Sequence, residues 1–475
     1  MKLDILFIND VHGYIAPHNE LFYNQDGEYI AEAGGYARLY TKVKEVRSKN
    51  PNTLLFDGGD TFHGTKPIVD SKGQSMIPIL NKMGFNAMTS HWEFAYGPEQ
   101  LKNLTNQLTY PNLACNIYKP NSELFTQPSK IFEVENLKIG VIGVAAFIVD
   151  KVMPSSFAKD LDFTTGIKEV AAEIVKLKEN DADLIILLSH NGLPQDFELL
   201  RQVDGIDVCL SAHTHNRIYR ALETNGALVI QCGCHGSFLG QMTLNIEDRA
   251  IISHQYKLHT IDTSIAENNE MKQLVDNALM GYNDILTNVV GKTDELLHRY
   301  TTLNANLDEL MHQGACFVTN TDICFSNGWR YGAPIAKGEI TENELYNMAP
   351  MNPPISVVEI TGKEIKEMME ENLTRTFACN PMKQMGGYAK RIFGLQLNIR
   401  IENPDGQKIQ ELFYKGSHIQ MNKVYKVSFI TVQGVPAKYG KNRVQTNFKL
   451  IDSIKLYLKE NETFTSSKNK TYRLV

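Results

Sequence analysis

The chain has 475 residues, of which 43% are hydrophobic and 21% charged, and a formal net charge of −6. That length exceeds what one hydrophobic core usually holds and sets an expectation of two domains. The charge excludes a general binder of nucleic-acid polymers or anionic membranes, and no run approaches the ~18 apolar residues of a membrane span.

The first ten residues form an apolar run interrupted by Asp4, with no small-residue cleavage site after it. They read as a first β-strand and not a secretion signal. Short apolar runs at 53–56, 138–144, 183–188, 206–210 and 227–231 read as further buried strands. Four strands lead directly into polar motifs: N-D-V-H-G at 9–13, D-G-G-D at 57–60, L-S-H-N-G at 188–192 and S-A-H-T-H at 211–215. A fifth motif, S-H-W-E-F, stands at 90–94. In open α/β sheets ligands gather beyond the carboxyl ends of the strands, so these positions point to one site. Seven cysteines, an odd and scattered set, suit reduced thiols in a cytoplasmic protein. The Cys232-x-Cys234 pair lacks a second pair to complete a structural zinc site, and simple packing is expected.

Apolar positions 271, 274, 275, 278, 279, 282, 285 and 286 keep one face of a continuous helix. Leu303, Leu307, Leu310 and Met311 mark another, read as a connecting helix over 299–317. The expected organisation is therefore a domain over 1–298, this helix, and a separate α+β domain over 318–475. In the latter, 355–360 and 395–401 read as strands. Thr361-Gly362-Lys363-Glu364 is a capping box opening a helix with Ile365, Met368 and Met369 inward. Asp405-Gly406 is a hairpin signal, and the polar tail beyond about 461 is expected to fray.

Two aspartates and five histidines of the five motifs form the candidate ligand set: Asp10, His12, Asp60, His91, His190, His213 and His215. Two-metal hydrolysis of a phosphate ester needs ions about 3.5–4 Å apart with a shared ligand. A carboxylate can bridge where a neutral histidine cannot, which makes Asp60 the natural bridge. The two divalent ions would acidify a water into a nucleophilic hydroxide and draw in anionic oxygens. Each motif alone has a plainer reading, a turn with a hydrogen-bonded histidine. The ordered set, each member near a strand end, favours the metal centre.

On these motifs the chain resembles the 5′-nucleotidase group of calcineurin-like metallophosphoesterases. The resemblance implies a four-layer αββα metal domain followed by an α+β substrate-binding domain. It implies that Asp10, His12, Asp60 and His215 hold one metal, and Asp60, His91, His190 and His213 the other. Asn327-Gly328-Trp329-Arg330 is similar to the family's substrate segment, with Asn327 and Arg330 as the substrate-binding pair. Arg330 would meet the substrate's phosphate with its planar fork of donors. G-E-I-T at 338–341 and T-G-K-E at 361–364 follow in the family's order.

The third motif departs from the family's G-N-H-E-F-D. His91 replaces the metal-binding asparagine and remains a competent ligand. Trp92 stands where the family has its catalytic histidine, and Ala95 where that histidine has its aspartate partner. Trp92 can neither give nor take a proton in catalysis, since its indole offers one N–H donor. The H-W-E-F variant with Y-G-P at 96–98 is similar to the Sox thiosulfohydrolase, a dimanganese branch of the same superfamily. Met385-Gly386-Gly387, Arg391 and Gly394-Leu395 lean the same way. The family's base-stacking G-G-D-G-Y/F segment is missing at 433–440, leaving Phe393 and Tyr439 as candidate stacking groups. His63, three residues after Asp60, is the candidate general acid in place of the lost dyad, with His235 a weaker candidate of the same kind.

The expectation is a dinuclear hydrolase, with phosphomonoesters and nucleotides first among substrates. A thiosulfohydrolase-like enzyme or a catalytically silent anion-binding protein are the alternatives. Manganese is preferred, with zinc or iron compatible with the mixed carboxylate and imidazole donors. The expected partner is a small anionic substrate, a nucleotide or other phosphoester.

Overall fold

The computed structural model describes residues 1–467 and 470–475 and divides them into two compact units. The first comprises Met1–Glu20 and Ala31–Met280, the second Leu21–Ile30 and Gly281–Val475.

The first unit is built on two sheets. One has five strands in the order Ala250–Thr260, Phe238–Glu247, Lys2–Ile8, Thr53–Asp57, Ala87–Met88. The other has six: Leu222–Thr224, Ala227–Ile230, Val208–Ser211, Leu184–Ser189, Leu137–Val144, Ser129–Val134. The strands that carry the polar motifs are central and parallel. Lys2–Ile8 pairs in parallel with Thr53–Asp57, and Leu184–Ser189 with both Val208–Ser211 and Leu137–Val144. Parallel strands covered on both faces read as near-continuous apolar runs, which is why the sequence marked them so clearly.

Alternation along one strand creates the layers. Leu3, Ile5 and Phe7 enter the core with Ile139, Ile186 and Leu210 of the second sheet. Leu6 and Ile8 point the other way, into a core with Leu39 and Val43 of helix Tyr36–Lys49 and Leu80 of helix Ile77–Met83. On the far side, helix Ile167–Glu179 packs closely on Gly140, where an added Cβ would lie 2.9 Å from Leu177. The αββα arrangement expected of the first half is therefore present.

The second unit is α+β. A five-stranded sheet runs Tyr388–Phe393, Cys324–Gly328, Val424–Ile430, Pro354–Thr361, Lys441–Lys449. Helix Gly362–Thr376 covers it with Ile365, Met368 and Met369 buried, opened by the expected capping box between Thr361 and Glu364. A second such box, Thr341 with Glu344, opens helix Glu342–Met348.

Three expectations are corrected. The helix anticipated over 271–286 stops at Leu279; Gly281 turns the chain in the left-handed region, and Asn283–Thr287 forms a separate short helix without a buried residue. The helix placed over 299–317 begins at Asn306 and ends at Thr319, within the second unit. Arg299 lies buried in the segment before it, and Leu303 belongs to that segment, not to the helix. The tail does not simply fray: Thr463–Phe464 and Tyr472–Leu474 join sheets through buried Phe464 and Tyr472. Lys468 and Asn469, part of the tail expectation, lie outside the described residues.

Gly143 shows how closely the central strand is approached, since an added Cβ would lie 2.0 Å from the Leu113 carbonyl oxygen. Backbone cannot yield as a side-chain tip can. Gly143→Ala is expected to cost about 1–3 kcal/mol, read as a lower urea midpoint at unchanged slope.

Candidate metal centre

All seven ligand residues anticipated from the sequence converge in the first unit. Two groups form, Asp60 with His91, His190 and His213, and Asp10 with His12, Asp60 and His215. Within each group the candidate ligand atoms lie within 4.8 Å of one another. Asp60 belongs to both.

The backbone turns sharply to bring them in. Asp10, His12, Asp60, His213 and His215 all have φ between 50° and 76°, the left-handed region that non-glycine residues seldom occupy. Such strain persists only where surrounding contacts over-determine it. Here those contacts are backbone hydrogen bonds: Asp10 N to Gly59 O at 2.9 Å and His12 N to Asp60 O at 2.7 Å stitch two motif loops together.

Asp60 is held from several sides. Its Oδ1 accepts from Trp92 N at 2.7 Å and faces His91 Nδ1 at 3.0 Å. Its Oδ2 faces His190 Nε2 at 3.2 Å and His12 Nε2 at 3.5 Å. Asp10 accepts from His213 N at 2.9 Å and from the Asn9 amide at 2.6 Å, and faces His215 Nε2 at 3.3 Å.

The histidine protons are fixed from outside the cluster. His12 Nδ1 lies 3.3 Å from the His63 carbonyl oxygen and His190 Nδ1 2.5 Å from that of Gly58. A carbonyl only accepts, so each ring carries a proton on Nδ1 and directs Nε2 inward, the orientation a metal ligand requires. His12 Nε2 then meets His215 Nε2 at 3.2 Å, and His190 Nε2 makes no hydrogen bond.

Electrostatics separate the two rings, leaving His12 neutral and His190 with a second proton that a bound cation would displace. Burial brings His12 down to about 3, leaving it neutral and able to ligate. Burial lowers His190 too, but the Asp60 and Asp10 carboxylates override it and raise it to about 10. Burial raises Asp60, yet the surrounding His91, His190 and His12 hold its carboxyl well below the usual range. Two buried carboxylates thus demand positive charge at the point where the ring nitrogens converge. This donor set fits a pair of divalent cations.

Several supporting residues were not anticipated. Glu93, inside the S-H-W-E-F motif, is fully buried and accepts from the backbone N–H groups of Asp60, Thr61 and His91 at 3.2, 2.6 and 2.7 Å. Asp196 accepts from the Ser189 and Ser211 hydroxyls, tying together the strand ends that precede His190 and His213. Asn9 bridges Asp10 to the Gly233 carbonyl. Cys232 and Cys234 are buried, and Cys232 Sγ lies 3.7 Å from the Tyr256 hydroxyl.

His63 is completely buried, its ring stacked on Trp92 at 4.6 Å between centroids, and burial lowers it to about 4. His235 faces Glu20 at 3.6 Å, with Arg217 on the other oxygen of that carboxylate at 2.7 Å.

The remaining site candidates lie in the second unit. Arg330 donates to the Gly387 carbonyl at 3.1 Å and stands over the Tyr388 ring at 5.2 Å. Asn327 lies on strand Cys324–Gly328. Phe393 pairs with Cys324 at the far end of that strand, about 13 Å from the Gly328 end by strand rise. Tyr439 donates to Glu371 at 2.8 Å and packs beside the core of this unit.

Two family models match the chain: the calcineurin-like phosphoesterase over residues 3–217 and the 5′-nucleotidase C-terminal domain over 289–431. The chain therefore pairs a calcineurin-like phosphoesterase domain with a 5′-nucleotidase C-terminal domain, and is a hydrolase. It is 27% identical over 427 residues to the trifunctional nucleotide phosphoesterase protein YfkN of Bacillus subtilis, covering 79% of this chain and 29% of that protein. It is 25% identical over 484 residues to human 5′-nucleotidase, covering 90% of this chain and 82% of that one. Among solved structures, the sulfate thiohydrolase SoxB of Thermus thermophilus superposes with a TM-score of 0.93 at 20% identity, covering 100% of this chain and 96% of that one. A 5′-nucleotidase precursor, also from Thermus thermophilus, gives 0.87 at 19% identity, covering 100% and 99%. At these identities the structural likeness is one of fold.

Because both groups share Asp60, its loss and the loss of His12 should differ. Asp60→Ala is expected to abolish binding of both ions, whereas His12→Ala should retain roughly one per chain. Metal content measured by mass spectrometry after gel filtration distinguishes them.

Proposed function

We propose that the chain hydrolyses a phosphomonoester, with nucleotides and related small phosphoesters as its substrate class. The observation that carries this reading is the pair of ligand groups sharing Asp60. Asp10, His12, Asp60 and His215 would hold one ion, and Asp60, His91, His190 and His213 the other. The resemblance favours manganese, and the imidazole and carboxylate donor set would also suit zinc or iron. When bound, such ions supply Lewis acidity toward anionic oxygens and make water a nucleophile near neutral pH.

The chain's own residues orient and hold. Asp60 is aimed by the Trp92 N–H, and Glu93 fixes the loop that carries it. The His12 and His190 rings keep their inward nitrogens available because backbone carbonyls take the outer proton. Arg330 is the proposed anion receptor, together with Asn327. His63 is proposed to act on the leaving group as a neutral hydrogen-bond donor, its ring held in place by its stack on Trp92. Among the described residues no helix is long and apolar enough to cross a membrane. All seven cysteines are free thiols, which supports a reducing, cytoplasmic setting.

A second reading rests on the third motif. Trp92 and Ala95 remove the histidine–aspartate pair that phosphate-ester members use, and the H-W-E-F variant favours hydrolysis of a sulfur–sulfur bond at the same metals.

The deciding experiment is a screen of the manganese-reconstituted chain against nucleoside monophosphates, p-nitrophenyl phosphate and a thiosulfonate. Metal-dependent phosphate release, lost in His91→Ala and His213→Ala, is expected. Turnover confined to the thiosulfonate would move the chain to the sulfur reading, and binding without turnover would leave an anion-binding protein. His63→Ala is expected to lower kcat about 100-fold with the metal load unchanged. Full turnover in that variant would remove its role.

A further inference from the structure

The second unit holds a buried charge cluster that the metal centre does not explain. Asp308, Arg299 and Arg391 are exposed by 1%, 0% and 2%. One carboxylate serves two guanidinium groups: Asp308 Oδ1 lies 3.0 Å from Arg299 Nη2, and Oδ2 3.2 Å from Arg391 Nε. Buried charge is retained at a cost in desolvation, and a planar arginine fork offsets that cost by binding several fixed acceptors at once.

Apart from Asp308 and the Met311 sulfur, 3.6 Å from Arg299 Nη2, the acceptors are backbone carbonyls. Arg299 donates to Tyr331 O and Met348 O, each at 2.9 Å. Arg391 donates to Leu303 O and Thr301 O, each at 2.6 Å. Tyr331 is the residue after Arg330. Arg391 and Arg330 also share one aromatic surface, lying 5.4 and 5.2 Å from the Tyr388 ring centre. Arg330 itself donates to the carbonyl of Gly387, next to that tyrosine. Two chains of contact therefore run from Asp308 to Arg330, one through Arg299 and Tyr331, the other through Arg391 and Tyr388.

Helix Asn306–Thr319 adds a third contact. One turn beyond Asp308, His312 Nε2 meets the Ser326 hydroxyl at 2.8 Å, on the strand that leads to Arg330. Burial and the two flanking arginines lower His312 to about 3, so the ring is neutral in this hydrogen bond. Gly328 completes the fit, since an added Cβ would lie 2.5 Å from the carbonyl oxygens of Tyr388 and Ala389.

From this geometry we infer that Asp308 is a positioning residue for small-anion binding: through Arg299 and Arg391 it sets the backbone and the aromatic surface from which Arg330 presents its guanidinium. The role rests on the reading of Arg330 as the anion receptor given above. Asp308 touches no substrate.

The test uses the full, manganese-loaded chain titrated calorimetrically with inorganic phosphate and with sulfate. Asp308→Asn is expected to weaken binding at least tenfold, as Arg330→Ala does, at unchanged metal stoichiometry. The double variant should bind no more weakly than Arg330→Ala alone, because one residue acts through the other. Multiplying effects in the double variant, or wild-type affinity in folded Asp308→Asn, would overturn the inference.

Asp308→Asn leaves two guanidinium groups without their carboxylate and so risks unfolding. Arg391→Lys keeps the charge beside Asp308 but loses the fork to Leu303 and Thr301. Its expected result is a loss of at least fivefold, again absent in an Arg330→Ala background, and wild-type affinity in this variant would equally overturn the inference. If the anion affinities follow this order while no phosphoester is hydrolysed, the positioning role stands and the phosphatase reading fails. A wild-type chain that binds neither anion overturns both.

Discussion

The first unit depends on a single buried carboxylate placed between two groups of histidine nitrogens. Asp60 is 2% exposed, and moving an unpaired carboxylate to such a place would be prohibitive. It is tolerated because the Trp92 N–H donates to it and the ring nitrogens of His91, His190 and His12 surround it, where cations would complete its pairing. The two-sheet architecture supplies those donors. Lys2–Ile8 and Thr53–Asp57 deliver Asp10, His12 and Asp60 from one sheet, while Leu184–Ser189 and Val208–Ser211 deliver His190, His213 and His215 from the other. Alternating strand faces bury the sheets against each other, and that apolar contact holds the polar ends in register.

Charge around the centre is graded. Asp10 and Asp60 are held ionised by histidines, whereas burial pushes Asp57 up to about 7 and raises Glu93, with the Asp60 charge adding to the effect on Glu93. Burial likewise raises Asp196 to about 7. The carboxyl groups one step away act as hydrogen-bond acceptors for loop N–H and hydroxyl groups.

The ligand set was legible because each member follows a strand end by a few residues and belongs to a type with lone pairs to offer. Other features required the fold. Glu93 stands in plain sight in S-H-W-E-F, but its three N–H donors come from two loops far apart in sequence. Asp196 carries no local signal; its partners are serines on neighbouring strands. The helix over 299–317 was overextended because Leu303 fits a helical spacing, while Arg299 and Arg391 in fact bind the carbonyls of that stretch and its surroundings in a non-helical path. The tail looked polar throughout because Phe464 and Tyr472, its two anchors, are isolated apolar residues among hydrophilic ones.

In the third motif the positioning of Asp60 does not pass through the side chain at 92. Its residues divide by task. Ser90, His91 and Glu93 face inward: Ser90 bonds Asn112, His91 faces Asp60, and Glu93 gathers three backbone donors. Trp92 gives its backbone N–H to Asp60, a bond that any residue except proline would make. Its side chain is half-buried between His63 and Phe157, with ring centroids 4.6 and 6.1 Å away. Exchanging a histidine for tryptophan there leaves Asp60 and His91 in place, since the polar contact between them does not pass through the indole. The backbone of this motif, and not the side chain at 92, therefore aims the ligands at Asp60.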